Sequence, residues 1–200
     1  YIMEDRLGIS CEVISSNAMA HAWNMIEIGG KWYHVDATWD DPTWDCIGRV
    51  GHNYFLLSDN KISDPDHNHH SWSDGHTADS ALYDEAFWSG VSSAICYVND
   101  SWYYSKYQPD DGDLQMERAV KLMKKERTQL LAGSEEALYA TSVWSIGNSY
   151  YPVSFMYLAR VGDKIYFNTS TEVFQMNADE SVDKFYSPQD LDSDLIDGFT

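Results

Sequence analysis

Two runs of aromatic and β-branched residues, 20 to 28 and 31 to 39, meet at Gly29-Gly30. A glycine pair between such runs accepts the positive φ of a two-residue hairpin turn, so the stretch reads as a β-hairpin with Ile28 and Lys31 flanking the turn. Paired residue numbers then sum to 59. Asp36 falls opposite Trp23, and His21 opposite Thr38. Alternation along a strand puts His21, Trp23, Asp36 and Thr38 on one face and makes His21 and Asp36 diagonal neighbours. Diagonal positions lie roughly 7 Å apart, a gap that an imidazole and a carboxylate can close to a hydrogen bond. Asn24 and His34 are read as pointing to the opposite face, and Trp39 as facing away from Asp36.

A histidine oriented by an aspartate is half of a nucleophile–base–orienter triad. The carboxylate fixes one ring nitrogen and leaves the other to take a proton from a thiol or hydroxyl. A plain structural hydrogen bond between facing strands fits the same spacing.

The ordered motif His21-Ala-Trp-Asn, a short turn, then Trp32-Tyr-His-Val-Asp36-Ala-Thr-Trp-Asp-Asp-Pro42 resembles the transglutaminase-like superfamily of cysteine enzymes, in particular its bacterial members. The resemblance covers roughly the first 60 to 90 residues. It implies a papain-like α+β core with an antiparallel sheet and a Cys-His-Asp triad, with His21 as catalytic histidine and Asp36 as catalytic aspartate. Trp23 and Trp39 become candidates for the substrate cleft. The family's cysteine opens a helix, where the helix dipole favours the thiolate. Here Tyr1 to Leu7 reads as the last turns of that helix, with Ile2, Met3 and Leu7 apolar and Gly8 as its stop, so the nucleophile is expected upstream of Tyr1. Cys11 alternates with Ile9 and Val13 on what reads as the core side of a strand, where a thiol is inert.

Composition bounds the alternatives. Net charge is -19, from 32 acidic and 13 basic residues, which argues against nucleic acid or anionic membrane as a partner. No apolar run approaches the length of a membrane span. Hydrophobic residues make up 44%, with 8 Trp and 14 Tyr, enough for a packed core. Three scattered cysteines form neither a disulfide framework nor a zinc pattern. Acidity with abundant Tyr, Trp, Asn and Ser suits an exported, extracellular or cell-surface bacterial protein.

Asn53 to Ser58 reads as a strand or helical turn packed on the core. Asp59 to Asp79 reads as an exposed loop beside the cleft. Its His67, His69, His70 and His76, set among Asp64, Asp66 and Asp74, match no compact metal spacing, and neither metal nor cofactor is implied.

Tyr83 to Trp88 links to a second architecture, which divides the chain into 1–88, transglutaminase-like, and 89–200, a β-rich region of repeated hairpins. Ala94 to Tyr104 forms a hairpin about Asn99-Asp100, and Phe155 to Phe167 a second about Gly162-Asp163. Trp102-Tyr-Tyr104 and Ile165-Tyr-Phe167 lie 63 residues apart, and Asp113 to Glu117 answers Glu172 to Asn177. This internal repeat turns residues 113 to 131 from helix, which their Lys, Glu and Leu content favours, to strand-turn-strand. The hairpins resemble propeller blades.

Cysteine-dependent acyl transfer on amides follows from the resemblance, with a protein or peptide substrate and cell-wall peptides among the candidates. A non-catalytic surface or wall-binding protein, using the core as scaffold, is the competing reading, and a metal-binding module using the His67 to His76 loop is a third.

Overall fold

The computed structural model describes residues 2–41, 50–91, 93–109, 118–131, 134–143, 145–146, 149–150, 157–169 and 172–187. The described residues are mostly β, in three separate four-stranded antiparallel sheets, and this overturns the α+β papain-like core. Among the described residues helix is confined to single turns: a π-type turn at Ile2–Arg6, a four-residue α-helix at Asp59–Ile62 and a 3-10 turn at Phe87–Gly90. Among the described residues no helix is long and apolar enough to cross a membrane.

The chain divides into two compact units. The first holds Tyr1–Asp41 and Gly51–Ser89, joined by Leu130 and Leu131, and the second takes up the chain from Gly90.

In the first unit the turn Ile2–Arg6 ends at Gly8, whose φ of 65° lets its N–H and that of Ile9 reach back to the carbonyls of Glu4 and Met3. Ile2 and Leu7, read as apolar helix positions, are exposed. The sheet runs β1 (Cys11–Ser16), β2 (His21–Ile28), β3 (Lys31–Val35) and β4 (Phe55–Leu57), each paired with the next. Gly29 and Gly30 both take positive φ, and Ile28↔Lys31 to Asn24↔Val35 pair in the register that the turn dictates.

The β2–β3 ladder stops at Val35. Asp36 turns its N–H to the Tyr54 carbonyl, and residues 37–39 form a turn, so neither Trp23–Asp36 nor His21–Thr38 is a strand pair. His21 pairs with Ser16 instead.

Face assignments follow from these registers. Ile14↔Trp23 and Met25↔His34 place Ile14, Trp23, Met25 and His34 on one face. That face packs against Leu57, Ile62 and Ala78, with Trp32 and Trp72 at its margin. His34, expected on the opposite face, is therefore on this one and fully buried. Cys11 and Val13 lie on the other face, where Val13 is exposed and Cys11 half-buried, so Cys11 is not core packing. The even-numbered residues of β1 face the core because β2 pairs them with Trp23 and His21.

The segment covering this face is anchored at both ends. Ser58 caps the helix Asp59–Ile62 by accepting from the Lys61 N–H, and it donates its hydroxyl to Asp84. Ser73 donates its N–H to the Ser15 carbonyl at the sheet edge. Two residues beyond Ser73, Gly75, at φ 87°, lies so close to the sheet that a Cβ would stand 2.7 Å from Ile14 Cγ2. Only glycine fits there.

The second unit contains two four-stranded meanders: β5 (Cys96–Val98), β6 (Ser101–Pro109), β7 (Arg118–Glu126), β8 (Glu136–Val143), and β11 (Leu158–Val161), β12 (Lys164–Asn168), β13 (Val173–Met176), β14 (Val182–Tyr186). A two-stranded ladder, β9 (Ser145–Ile146) with β10 (Ser149–Tyr150), lies between them in sequence. Asn99, Asp100 and Gly162 take the positive φ that tight hairpin turns require. Val98↔Ser101 and Val161↔Lys164 close equivalent hairpins. Cys96, Tyr103 and Leu122 from one meander and Leu158, Ile165, Phe167 and Phe174 from the other form one buried cluster.

Residues 118–126 are strand despite their helix-favouring composition, because pairing with Ser101–Pro109 on one side and β8 on the other outweighs propensity. Asp113 to Glu117 lie outside the described residues. β6 pairs with β7 from Ser101↔Glu126 to Pro109↔Arg118, a longer hairpin than β12 with β13, which pair from Ile165↔Met176 to Asn168↔Val173.

Candidate active site

Asp36 is the centre of the site. Its side chain is 1% exposed, and every lone-pair direction is used. Oδ1 accepts the N–H groups of Thr38 and Trp39 at 3.0 and 3.1 Å, an arrangement made possible by the turn that follows the last strand residue. Oδ2 lies 2.5 Å from His21 Nε2 and 2.8 Å from His69 Nε2. Burial pushes the Asp36 carboxyl upward. The bonds from His69, His21 and the Trp39 N–H outweigh that push and hold it below the usual aspartate range.

His21 begins β2, and its side chain is 14% exposed. Its ring stacks in offset fashion with Trp23 at 5.7 Å and with Trp39 at 5.4 Å. Since the bond to Asp36 uses Nε2, the nitrogen left for chemistry is Nδ1, which has no partner among the described residues.

Trp23 is 3% exposed. It packs edge-on against His69 and donates its indole N–H to His34 Nδ1 at 2.9 Å, so it is a wall inside the site, not an open cleft surface. His34 in turn meets Asp59 Oδ1 with Nε2 at 2.8 Å. An indole only donates, so Nδ1 is the acceptor and the proton of neutral His34 sits on Nε2. Burial is the main reason the imidazole is held below its usual range, against the raising effect of Asp59.

Trp39 was expected to face away. Its N–H bonds Asp36 and its ring covers His21, with 40% of the residue exposed. Strand alternation does not extend past Val35, which is why parity failed there.

The histidine-rich loop divides. His76 is exposed, stacked on Trp32 and paired with Glu12. His67 bonds Asp64, whose carboxyl its hydrogen bonds hold at about 2 against a desolvation push upward. His69, expected in an exposed loop, is fully buried and belongs to the site. No periodicity marks it, because it arrives from an irregular segment: its N–H bonds the Ile62 carbonyl, and the neighbouring Asn68 and Ser71 are left-handed.

His21, Asp36 and His69 each offer one ligand atom, all within 4.8 Å of one another. Ligand atoms about 2.0–2.1 Å from a tetrahedral zinc lie about 3.3 Å apart. The spacings of 2.5 and 2.8 Å to Oδ2 are those of hydrogen bonds.

No known family matches the chain, and no curated protein or solved structure matches it either.

Proposed function

We propose that the first unit carries the base and orienter of an acyl-transfer site acting on amides, with a cysteine thiol as nucleophile. The observation that supports this reading most is the 2.5 Å bond from His21 Nε2 to a buried carboxylate, with Nδ1, at a partly open position, unpartnered among the described residues. In such a site Nδ1 takes the thiol proton as sulfur attacks the amide carbonyl. The same proton passes to the departing amine as the C–N bond breaks, leaving a thioester. Water then attacks the thioester, His21 again relays the proton, and the acid and free thiol are released. The motif resemblance supplies the choice of thiol and of a peptide substrate, and with it a surface or secreted setting.

Cys11 is not that thiol. It pairs with Ile26 near the far end of β1, whereas His21 pairs with Ser16, and five residues of strand span about 17 Å. This observation favours the second reading, a non-catalytic surface protein in which the same cluster is structural.

Iodoacetamide labelling near neutral pH, with any natural sequence preceding Tyr1 included, separates the two. One cysteine that alkylates fast, and at least about tenfold more slowly in His21→Ala, is the expected result. Thiols that all react indifferently to His21→Ala would leave the structural reading standing and the enzymatic one overturned.

A further inference from the structure

We infer that His69 is a positioning residue of this site, a doubly protonated imidazole that clamps Asp36 for His21. The inference rests on reading His21 as the base. His69 Nδ1 lies 3.0 Å from the His67 carbonyl oxygen, and Nε2 lies 2.8 Å from Asp36 Oδ2. A carbonyl oxygen only accepts, so Nδ1 carries a proton. An ionised carboxylate also only accepts, so the proton on the second contact belongs to Nε2. Both ring nitrogens donate, and the ring is a cation.

The alternative is a proton resident on Asp36. Oδ1 already accepts two backbone N–H groups and Oδ2 a second imidazole, all of which favour the ionised form. His69 and Asp36 are therefore an ion pair, with side chains 0% and 1% exposed. The surroundings of the His69 ring are Trp23, Trp39, Tyr54 and His21 at 4.3 to 5.7 Å, and Asp36 is the carboxylate in contact with it.

Buried ion pairs seldom stabilise a fold more than apolar packing would, so this one asks for a role beyond stability. With Oδ1 pinned by the turn and Oδ2 by His69, the carboxylate cannot rotate. His21 meets a fixed acceptor direction on Oδ2. It also meets a charge-balanced carboxylate in place of an uncompensated anion, which would hold a proton on the base.

The test uses the whole chain and two readouts. In side-chain 1H–15N spectra at pH 7.5, the histidine whose signals vanish in His69→Gln should show protons on both ring nitrogens. A lone pair at Nε2 overturns the inference, as does one equivalent of zinc retained through purification and lost in His69→Gln. The second readout is carbethoxylation of His21 by diethyl pyrocarbonate, mapped by mass spectrometry. Glutamine keeps one N–H for Oδ2 but no charge, so the folded His69→Gln variant should react about tenfold more slowly at His21. An unchanged rate in that variant overturns the positioning role. Neither readout passes through a cysteine, so failure of the acyl-transfer reading shows up separately, in the thiol labelling.

Discussion

Each unit ties down a carboxylate, buried Asp36 in the first and half-buried Glu135 in the second, and the two are satisfied by different partners. In the first, Asp36 collects two imidazoles and two backbone N–H groups. In the second, Glu135 collects the Tyr104 hydroxyl at 2.8 Å and the Lys106 ammonium at 2.7 Å. Burial pushes both carboxyls up, and in both the hydrogen bonds win and hold them low. The difference lies in what the donors can do next. Tyr104 is driven far above the usual phenol range, chiefly by burial, so it stays protonated, and lysine keeps its charge at any ordinary pH. Those donors are static. An imidazole exchanges protons near neutrality and has a second nitrogen. One cluster holds a sheet together, and the other holds a proton acceptor in place.

The sharpest way to break this comparison is to delete each carboxylate. Asp36→Ala strips the buried acceptor from four donors and should cost about 3–5 kcal/mol in urea unfolding. Glu135→Ala should cost less, about 1–2 kcal/mol, because Lys106 is partly exposed and can return to solvent. Equal losses would erase the distinction.

Acid should separate the units next. His34 is held below its usual range, so the unfolded chain binds its proton more readily than the folded one does. Stability therefore falls as pH drops below about 6.5, until the folded value is passed. Protonated Nδ1 would also confront the Trp23 N–H, at a cost of about 1–3 kcal/mol. Asp36 and Glu135 are both held low, and their contributions survive down to the acid range before being lost. Between pH 7 and 5 the hydrogen-exchange protection factors, which divide out the acid slowing of intrinsic exchange, should therefore lose a His34-dependent part at β2 amides that is absent in His34→Gln, while those of β12 amides hold.

The smallest effect concerns the thiols. Cys11→Ser should change stability by no more than about 0.5 kcal/mol, as a half-exposed edge position. Cys96 is buried and its thiol is pushed up to about 11, mainly by desolvation, so in the native protein Cys11 should alkylate before Cys96. Peptide mapping of the two reads this directly.

The hairpin was legible because its determinants are local. Gly29-Gly30 sets the register of β2 and β3, and the register brings His21 and Asp36 within reach. Two features escaped for opposite reasons. The core side of β1 depends on which partner strand it meets, and Ile14 and Val13 are equally apolar candidates until Trp23 chooses between them. His69 depends on a contact made 33 residues along the chain by an irregular segment, where neither period nor spacing carries a signal. The helical core was a borrowed expectation. What Asp59 to Asp79 supplies in its place is one short helix and a loop tied to the sheet edge.

Gly75 has a consequence for the order of assembly. The hairpin closes on its own, in about 1–10 μs for structures of this kind, and at that moment Asp36 is still in water. The segment carrying His69 closes a longer loop, and once docked it rests at Gly75 on Ile14 and Met25. The carboxylate thus loses its water in the same step that delivers its counter-charge, and the chain never has to bury that charge alone.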